Sequence, residues 1–277
     1  MEKLESIKYL QEKANLIRRD VIKMLGKSKA GHPGGSLSIA EILSVLYFHT
    51  LRISPENPSW EDRDRFVLSK GHGAPAWYAV LSERGFFSKD LLSHLDEVDS
   101  PLQAHPDMEL VPGVDMSTGA LGQGFSAAIG MALGAKLKKK SLRVYALLGD
   151  GELDEGQVWE AAMSASKFKL DNITTIVDYN RLQLAGRIKE VMPLSPLEEK
   201  WLSFGWYVIK IDGHSIEEII SSLEEAKKIK EKPTVVIAQT VKGKGVSFME
   251  DKVEWHAKPI SDEQVVMALK ELEEKGV

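Results

Sequence analysis

Two oxygen-bearing side chains, Asp150 and Asn180, stand thirty residues apart, each closely following an apolar run that reads as a buried strand. That spacing is one strand-helix-strand unit, and it brings the ends of two neighbouring parallel strands to one edge of a sheet. One carboxylate and one amide oxygen are too few to cage calcium. They suit magnesium, which keeps near-octahedral oxygen coordination and usually shares its shell with phosphates. Gly149 and Gly151, on either side of Asp150, would let phosphate oxygens come close to the backbone. Donors for a diphosphate are offered by the glycine-rich run Ser117 to Gly124, which feeds a helix of small residues whose N-terminus attracts anions. No Gly-Lys-Ser/Thr follows this run and its glycine spacing does not fit a dinucleotide fingerprint, so neither of those nucleotide sites is indicated.

Of seven histidines, five lie in loops beside Gly, Pro or Ala: His32, His72, His105, His214 and His256. In a chain with no cysteine and no His-x-x-x-His pair, they suggest proton handling and hydrogen bonding to a hydroxylated substrate more than a zinc site. His49 and His94 fall inside helical patterns and read as packing or surface residues.

These residues need a frame to hold them. Apolar positions Leu4, Ile7, Leu10, Ala14, Ile17, Val21 and Leu25 recur at three and four residues, which predicts a long helix over 3–26 capped by the glycine after Leu25. A second helix is predicted over 39–51. Short apolar runs at 65–68, 142–148, 173–177, 206–211 and 234–239 read as buried strands, alternating with helices near 75–85, 123–138, 155–168 and 215–230. Strand and helix in regular turn imply right-handed crossovers, hence a doubly wound, mostly parallel α/β sheet with helices on both faces. Residues 184–196 read as a surface loop. In such a sheet ligands bind beyond the carboxyl ends of the strands, where Asp150 and Asn180 fall.

Composition narrows the function. The chain has 277 residues, 43% hydrophobic and 28% charged, as expected of a globular protein with a large core. A net charge of −5 argues against nucleic-acid binding, which needs a clustered positive surface. The one lysine run, Lys138 to Lys140, closes a helix, where cations suit the dipole. Without cysteine there are no disulfides or thiolate metal sites, and a reducing compartment is allowed. The N-terminus reads as a charged amphipathic helix and not as a signal peptide, and no apolar run approaches the roughly 18 residues needed to span a bilayer. A cytoplasmic protein with no membrane contact is the expectation.

Gly149-Asp150-Gly151, with Asn180 beyond it, resembles the thiamine diphosphate signature. Five stretches, in chain order, are similar to the N-terminal part of transketolase: "KAGHPGGSLS", "LSKGHGAPAWY", "STGALGQGFSAAIGMA", "GDGELDEGQVWEAAMSA" and "EDKVEWHAKP". They run from residue 29 to residue 259, most of the chain. The resemblance implies that residues 1–277 form a single diphosphate-binding domain with an N-terminal helical extension at about 1–60, and that the pyrimidine-binding and C-terminal domains are absent.

Carried over residue by residue, the resemblance makes Asp150, the Asn180 side chain and the Leu182 backbone carbonyl the magnesium ligands, with calcium or manganese as substitutes. Thiamine diphosphate would be contacted by His72, Gly119, Ala120, Leu121, Asp150, Gly151, Glu155, Asn180, Lys242 and His256. The resemblance casts His32, His72, His105 and His256 as catalytic residues that bind sugar hydroxyls or move protons. Glu155 and Glu160 match glutamates that run toward the subunit interface and link two active sites, Glu160 being counted as catalytic. Glu152 and Asp154 receive no role and read as solvated.

The implied activity is transfer of a two-carbon ketol unit from a ketose phosphate such as xylulose 5-phosphate to an aldose phosphate such as ribose 5-phosphate, a pentose phosphate pathway reaction. The glutamate that activates the cofactor's aminopyrimidine lies, in this family, on the pyrimidine-binding domain. The chain therefore resembles one half of a split transketolase, needing a partner subunit, with α2β2 as the expected assembly. A branched or deoxy sugar phosphate is a variant substrate. Other readings are the α chain of a 2-oxoacid dehydrogenase, in which His32, His72 and His105 would be absent, and a magnesium-dependent phosphate-binding module without thiamine.

Overall fold

A computed structural model of the chain describes the backbone of residues 2–274 and the side chains of residues 4–274. Five strands, β1 (Arg65–Leu68), β2 (Val144–Gly149), β3 (Ile173–Tyr179), β4 (Tyr207–Asp212) and β5 (Thr234–Gln239), form one sheet in the order β1-β2-β3-β5-β4. All neighbours pair in parallel. β2 is buried along its whole length and β3 up to its last residue, as continuous apolar runs require in a sheet covered on both faces.

Helices α1 (Glu2–Ser28), α2 (Pro33–Leu37), α3 (Ala40–Val45) and α4 (Ala74–Arg84) precede α5 (Gln123–Leu137) and α6 (Gly156–Lys167). The short α7 (Ile188–Val191) and α8 (Leu197–Ser203) follow β3, α9 (Ile216–Lys228) joins β4 to β5, and α10 (Asp262–Glu274) comes last among the described residues. Side chains alternate along the strands. Phe66, Leu68, Tyr145, Leu147, Ile176 and Val236 pack with α1, α3, α4, α9 and α10, whereas Val67, Val144, Ala146, Leu148, Val235 and Ile237 pack with α5, α6 and α8. The chain leaving β1 and β5 goes to the first face, through α4 and α10, and the chain leaving β2 and β3 goes to the second, through α6 and α8. Their connections part above the strand ends, and a crevice opens there.

Two local expectations change, and one short helix is added to them. Gly26 does not cap α1: the helix runs on to Ser28, and the left-handed residue is Lys29, with φ 54°. Gly26 is where α10 presses on α1, because a Cβ there would lie 2.4 Å from Val265 Cγ2. The segment "PGGSL" is helical despite its glycines, with Pro33 at the first position and every residue buried. The predicted loop 184–196 contains the α7 turn. Among the described residues no helix is long and apolar enough to cross a membrane.

Candidate active site

The strand ends converge on a cleft of about 310 Å³ lined by His32, Lys70, His72, His105, Gly119, Leu121, Asp150, Gly151, Glu152, Asn180, Leu182, Lys242 and His256, among others. β1 supplies Lys70 and His72, β2 the Gly149–Glu152 turn, β3 the Asn180–Leu182 turn and β5 Lys242. Asp150 and Asn180 do meet at one edge, since Gly149 pairs with Asp178 in the β2-β3 register.

Beneath the cleft lies an ion pair that sequence reasoning missed. Lys70 and Asp178, 1% and 0% exposed in their side chains, meet at 2.6 Å. Lys70 also donates to the Gly35 carbonyl at 2.8 Å. Asp178 accepts from Ser38 Oγ at 2.8 Å, from Asn180 Nδ2 at 3.0 Å and from Thr240 Oγ1. Burial pushes the Asp178 carboxyl up, but Lys70 and these donors outweigh it and hold it below its usual range. Because Asn180 gives its amide hydrogens to Asp178, its Oδ1 is the atom left for other partners, and it accepts from Leu182 N–H at 3.1 Å.

Asp150 is 2% exposed and pairs with no side-chain cation; it accepts from the backbone N–H groups of Gly151 and Arg181. Burial, with Asp178 nearby, pushes its carboxyl up to about 7. Opposite it, the ammonium of Lys242 donates to the Leu182 carbonyl at 3.0 Å and to His256 Nδ1 at 2.8 Å. Lys242 is 2% exposed with no carboxylate in contact, and burial together with Lys70 lowers it to about 8.

Glu152 is a correction. Far from being solvated, it is 2% exposed and accepts from Ser69 Oγ, from Gly122 N–H at 2.8 Å and from Gly149 N–H at 3.0 Å. Burial raises its carboxyl. It thereby sits at the N-terminus of α5, while Phe125 N–H is taken by Ser69 Oγ at 2.9 Å. The anion that this helix start was expected to draw from a ligand is supplied by the protein itself. The turn depends on glycine at 122, where φ is +81° and a Cβ would meet Gln157 Cγ at 2.7 Å.

His32, His72 and His256 form a triangle, with ring centroids 5.3 to 5.4 Å apart. Burial lowers all three; Lys70 and Lys242 add to it, as do His105 at His32 and the facing rings at His72 and His256, and His256 falls to about 3. They are neutral imidazoles at physiological pH. His105 lies at the exposed rim, its ring over Gly119. Ala120, Glu155 and Glu160 are exposed and do not line the cleft, and Asp154, also exposed, holds Gln183 Nε2 at 2.7 Å. His214 is outside too, bonded to Glu41. No sequence signal marks Glu152, Lys70 or Asp178 as buried; only their place just past apolar strands or at one's end sets them apart.

An unpaired buried carboxylate beside an amide oxygen and a carbonyl demands a cation, and an unpaired buried ammonium demands an anion. A metal-diphosphate pair would meet both demands, and the class is that of α/β domains with a ligand cleft at the carboxyl edge of the sheet. Residues 10–274 match the family described as transketolase, thiamine diphosphate binding domain. The chain is 48% identical to a 6-deoxy-6-sulfo-D-fructose transketolase subunit of a Clostridium species, over 96% of this chain and 97% of that one. It is 42% identical to an apulose-4-phosphate transketolase subunit of Phocaeicola vulgatus, over 96% of this chain and 94% of that one. Human transketolase is also 42% identical, but the chain spans only 42% of its length. The crystal structure of Campylobacter jejuni transketolase superposes with a TM-score of 0.90 at 35% identity, over 95% of this chain and 42% of that one.

The chain belongs to the transketolase family, as its thiamine diphosphate-binding domain, and is an enzyme subunit of that class. The family decides against a 2-oxoacid dehydrogenase α chain and against a phosphate module without thiamine.

Proposed function

We propose that this chain is the diphosphate-binding subunit of a two-chain transketolase, with Asp150, Asn180 Oδ1 and the Leu182 carbonyl as the magnesium ligands. Calcium or manganese would suit the same oxygens. The observation that carries the reading is the paired demand in one cleft, a buried Asp150 carboxylate bonded by backbone N–H groups alone and a buried Lys242 ammonium with no carboxylate in contact among the described residues. Lys242, now on the Leu182 carbonyl, would turn to the diphosphate once a metal took that oxygen. Thiamine diphosphate, when bound, supplies the nucleophilic carbon and the electron sink for cleaving a carbon-carbon bond. The protein's part is to hold it and to handle protons. His32, His72 and His256 would bind sugar hydroxyls and carry protons from the cleft wall, with His105 at the rim and Gly119, Ala120 and Leu121 beside the cofactor.

The partner would be a chain carrying the pyrimidine-binding domain, in an α2β2 assembly. Two relatives named as subunits match this chain over 94–97% of their length, which supports a split enzyme. Glu155 and Glu160 would meet that assembly's interface, which their exposure allows. The expected setting is cytoplasmic. The general reaction is ketol transfer from a ketose phosphate, with xylulose 5-phosphate and ribose 5-phosphate as the pentose phosphate pathway pair. A second reading, favoured by the 48% and 42% identities, is a donor with an unusual tail: a 6-deoxy-6-sulfo ketose or the branched apulose 4-phosphate.

The test is to assay the complex with its partner, magnesium and thiamine diphosphate against each donor, scoring release of the shortened aldose. Asp150→Ala should abolish turnover, and His256→Ala should lower turnover while leaving most cofactor binding. Full activity of Asp150→Ala after dialysis against chelator would overturn the site.

A further inference from the structure

Outside the cleft, three largely buried charged or titratable side chains from three separate elements line up and end on the segment that carries Lys242. Arg18, on α1, donates to Glu41 Oε2 at 2.6 Å and to the Leu37 carbonyl at 3.3 Å. Glu41, in the first turn of α3, faces His214 Nδ1 at 3.0 Å. His214 follows β4, and its Nε2 accepts from Val241 N–H at 2.9 Å. That contact fixes the ring's proton: Nε2 is an acceptor, so the proton lies on Nδ1 and is donated to Glu41. Burial would raise Glu41, but Arg18 and His214 outweigh it and hold the carboxyl at about 2, so the acceptor end of the line is always charged.

Val241 stands between two residues of the site. Thr240 Oγ1 donates to Asp178, and Lys242 spans Leu182 and His256. Backbone bonds also brace the segment: Thr240 N–H donates to Tyr179 O at 3.2 Å and Gly243 N–H to Gly34 O at 3.0 Å, and the Val241 and Lys242 carbonyls accept from Lys244 N–H at 3.2 Å and Asp251 N–H at 3.0 Å. Among the described residues, the Val241 N–H is the one main-chain group of residues 240–243 that bonds a side chain, and that side chain lies outside the cleft. We propose that His214, oriented by Glu41 and Arg18, is a positioning residue that sets the Thr240–Lys242 segment, and through it the ammonium of Lys242, for the diphosphate. A buried ion pair serving stability alone would need no imidazole, and its energy would not depend on which ring nitrogen is kept. The inference rests on reading the cleft as the cofactor site.

Two substitutions separate the nitrogens. The amide of Asn reaches the place of Nδ1 and that of Gln reaches the place of Nε2. His214→Asn keeps a donor for Glu41 and loses the acceptor for Val241, whereas His214→Gln does the reverse. Each variant, with the partner chain and magnesium, is titrated with thiamine diphosphate by calorimetry, and the melting temperature of the metal-free complex is recorded. His214→Asn should bind the cofactor about tenfold more weakly, the scale of one lost hydrogen bond, and His214→Gln within about threefold of the parent. Equal loss in both variants, or no loss in either while the parent binds, would overturn the positioning role, and melting shifts without an affinity change would mark the line as structural. If the parent itself does not bind, the cofactor reading fails and the role proposed for His214 falls with it, an outcome distinct from loss in a variant of a binding parent. Should His214→Asn not fold, Glu41→Gln reads the same link: cofactor affinity at least about threefold weaker is expected, and unchanged affinity refutes.

Discussion

Replacing Asp178 by Asn removes the counter-charge of Lys70 without changing volume, and the cost can be worked from the surroundings of the pair. Lys70, 1% exposed, then keeps neutral acceptors alone, the Gly35 carbonyl and the amide oxygen of the substitute. Leaving one member of a buried pair uncompensated costs about 3–5 kcal/mol. The destabilisation should therefore be about 3 to 5 kcal/mol, a fall in melting temperature of roughly 6–20 °C for a chain of this size. Lys70→Met should cost less, because Asp178 keeps Ser38, Asn180 and Thr240 as donors. The double variant, losing both charges, should be more stable than Asp178→Asn alone. Unfolding by urea is followed in excess EDTA, which excludes metal linkage. A deficit under about 1 kcal/mol, or one unrelieved by adding Lys70→Met, would refute the reasoning.

Two other measurements bear on separate features. With the Asp150 carboxyl at about 7, magnesium must displace a proton at lower pH. Its affinity in the presence of diphosphate, measured calorimetrically, should drop by up to about tenfold per unit below pH 7 and level off above it, and a flat profile would contradict the burial argument. Gly26→Ala, which helix propensity alone would favour by about 0.5–1 kcal/mol, should instead destabilise by about 1–3 kcal/mol through the clash with Val265. Adding Val265→Ala should recover part of that loss, and a thermally stabilised Gly26→Ala would show that α10 can move away.

The sheet was legible because buried parallel strands leave short apolar runs, and all five strands lie where such runs do, within about two residues at their ends, although the edge strand β4 is only partly buried and carries Lys210. The meeting of Asp150 with Asn180 was legible for a geometric reason, the length of one crossover. What stayed hidden was charge turned inward. Glu152 looks like its exposed neighbours Asp154 and Glu155, and the convergence on it of Ser69 and Gly122 from other parts of the chain, with Gly149 of its own turn, accompanies its burial. Lys70 and Asp178 face each other across 108 residues, a pairing with no local signature. Gly26 misled because a helix-ending glycine and a helix-crossing glycine look alike until the second helix is in place.

The three facing imidazoles have a consequence for selectivity. A neutral imidazole offers one donor and one acceptor, and exchanging its tautomer swaps them without moving a heavy atom. His256 is pinned by Lys242, but His32 and His72 carry no such side-chain anchor among their hydrogen bonds. A polyol presented to this wall can thus find matching partners for more than one arrangement of its hydroxyls, the wall adapting by proton relocation instead of by rearrangement. In the proposed ketol transfer such a surface would be a permissive selector: it would grip the common part of many sugars and leave discrimination among them to whatever meets their other end.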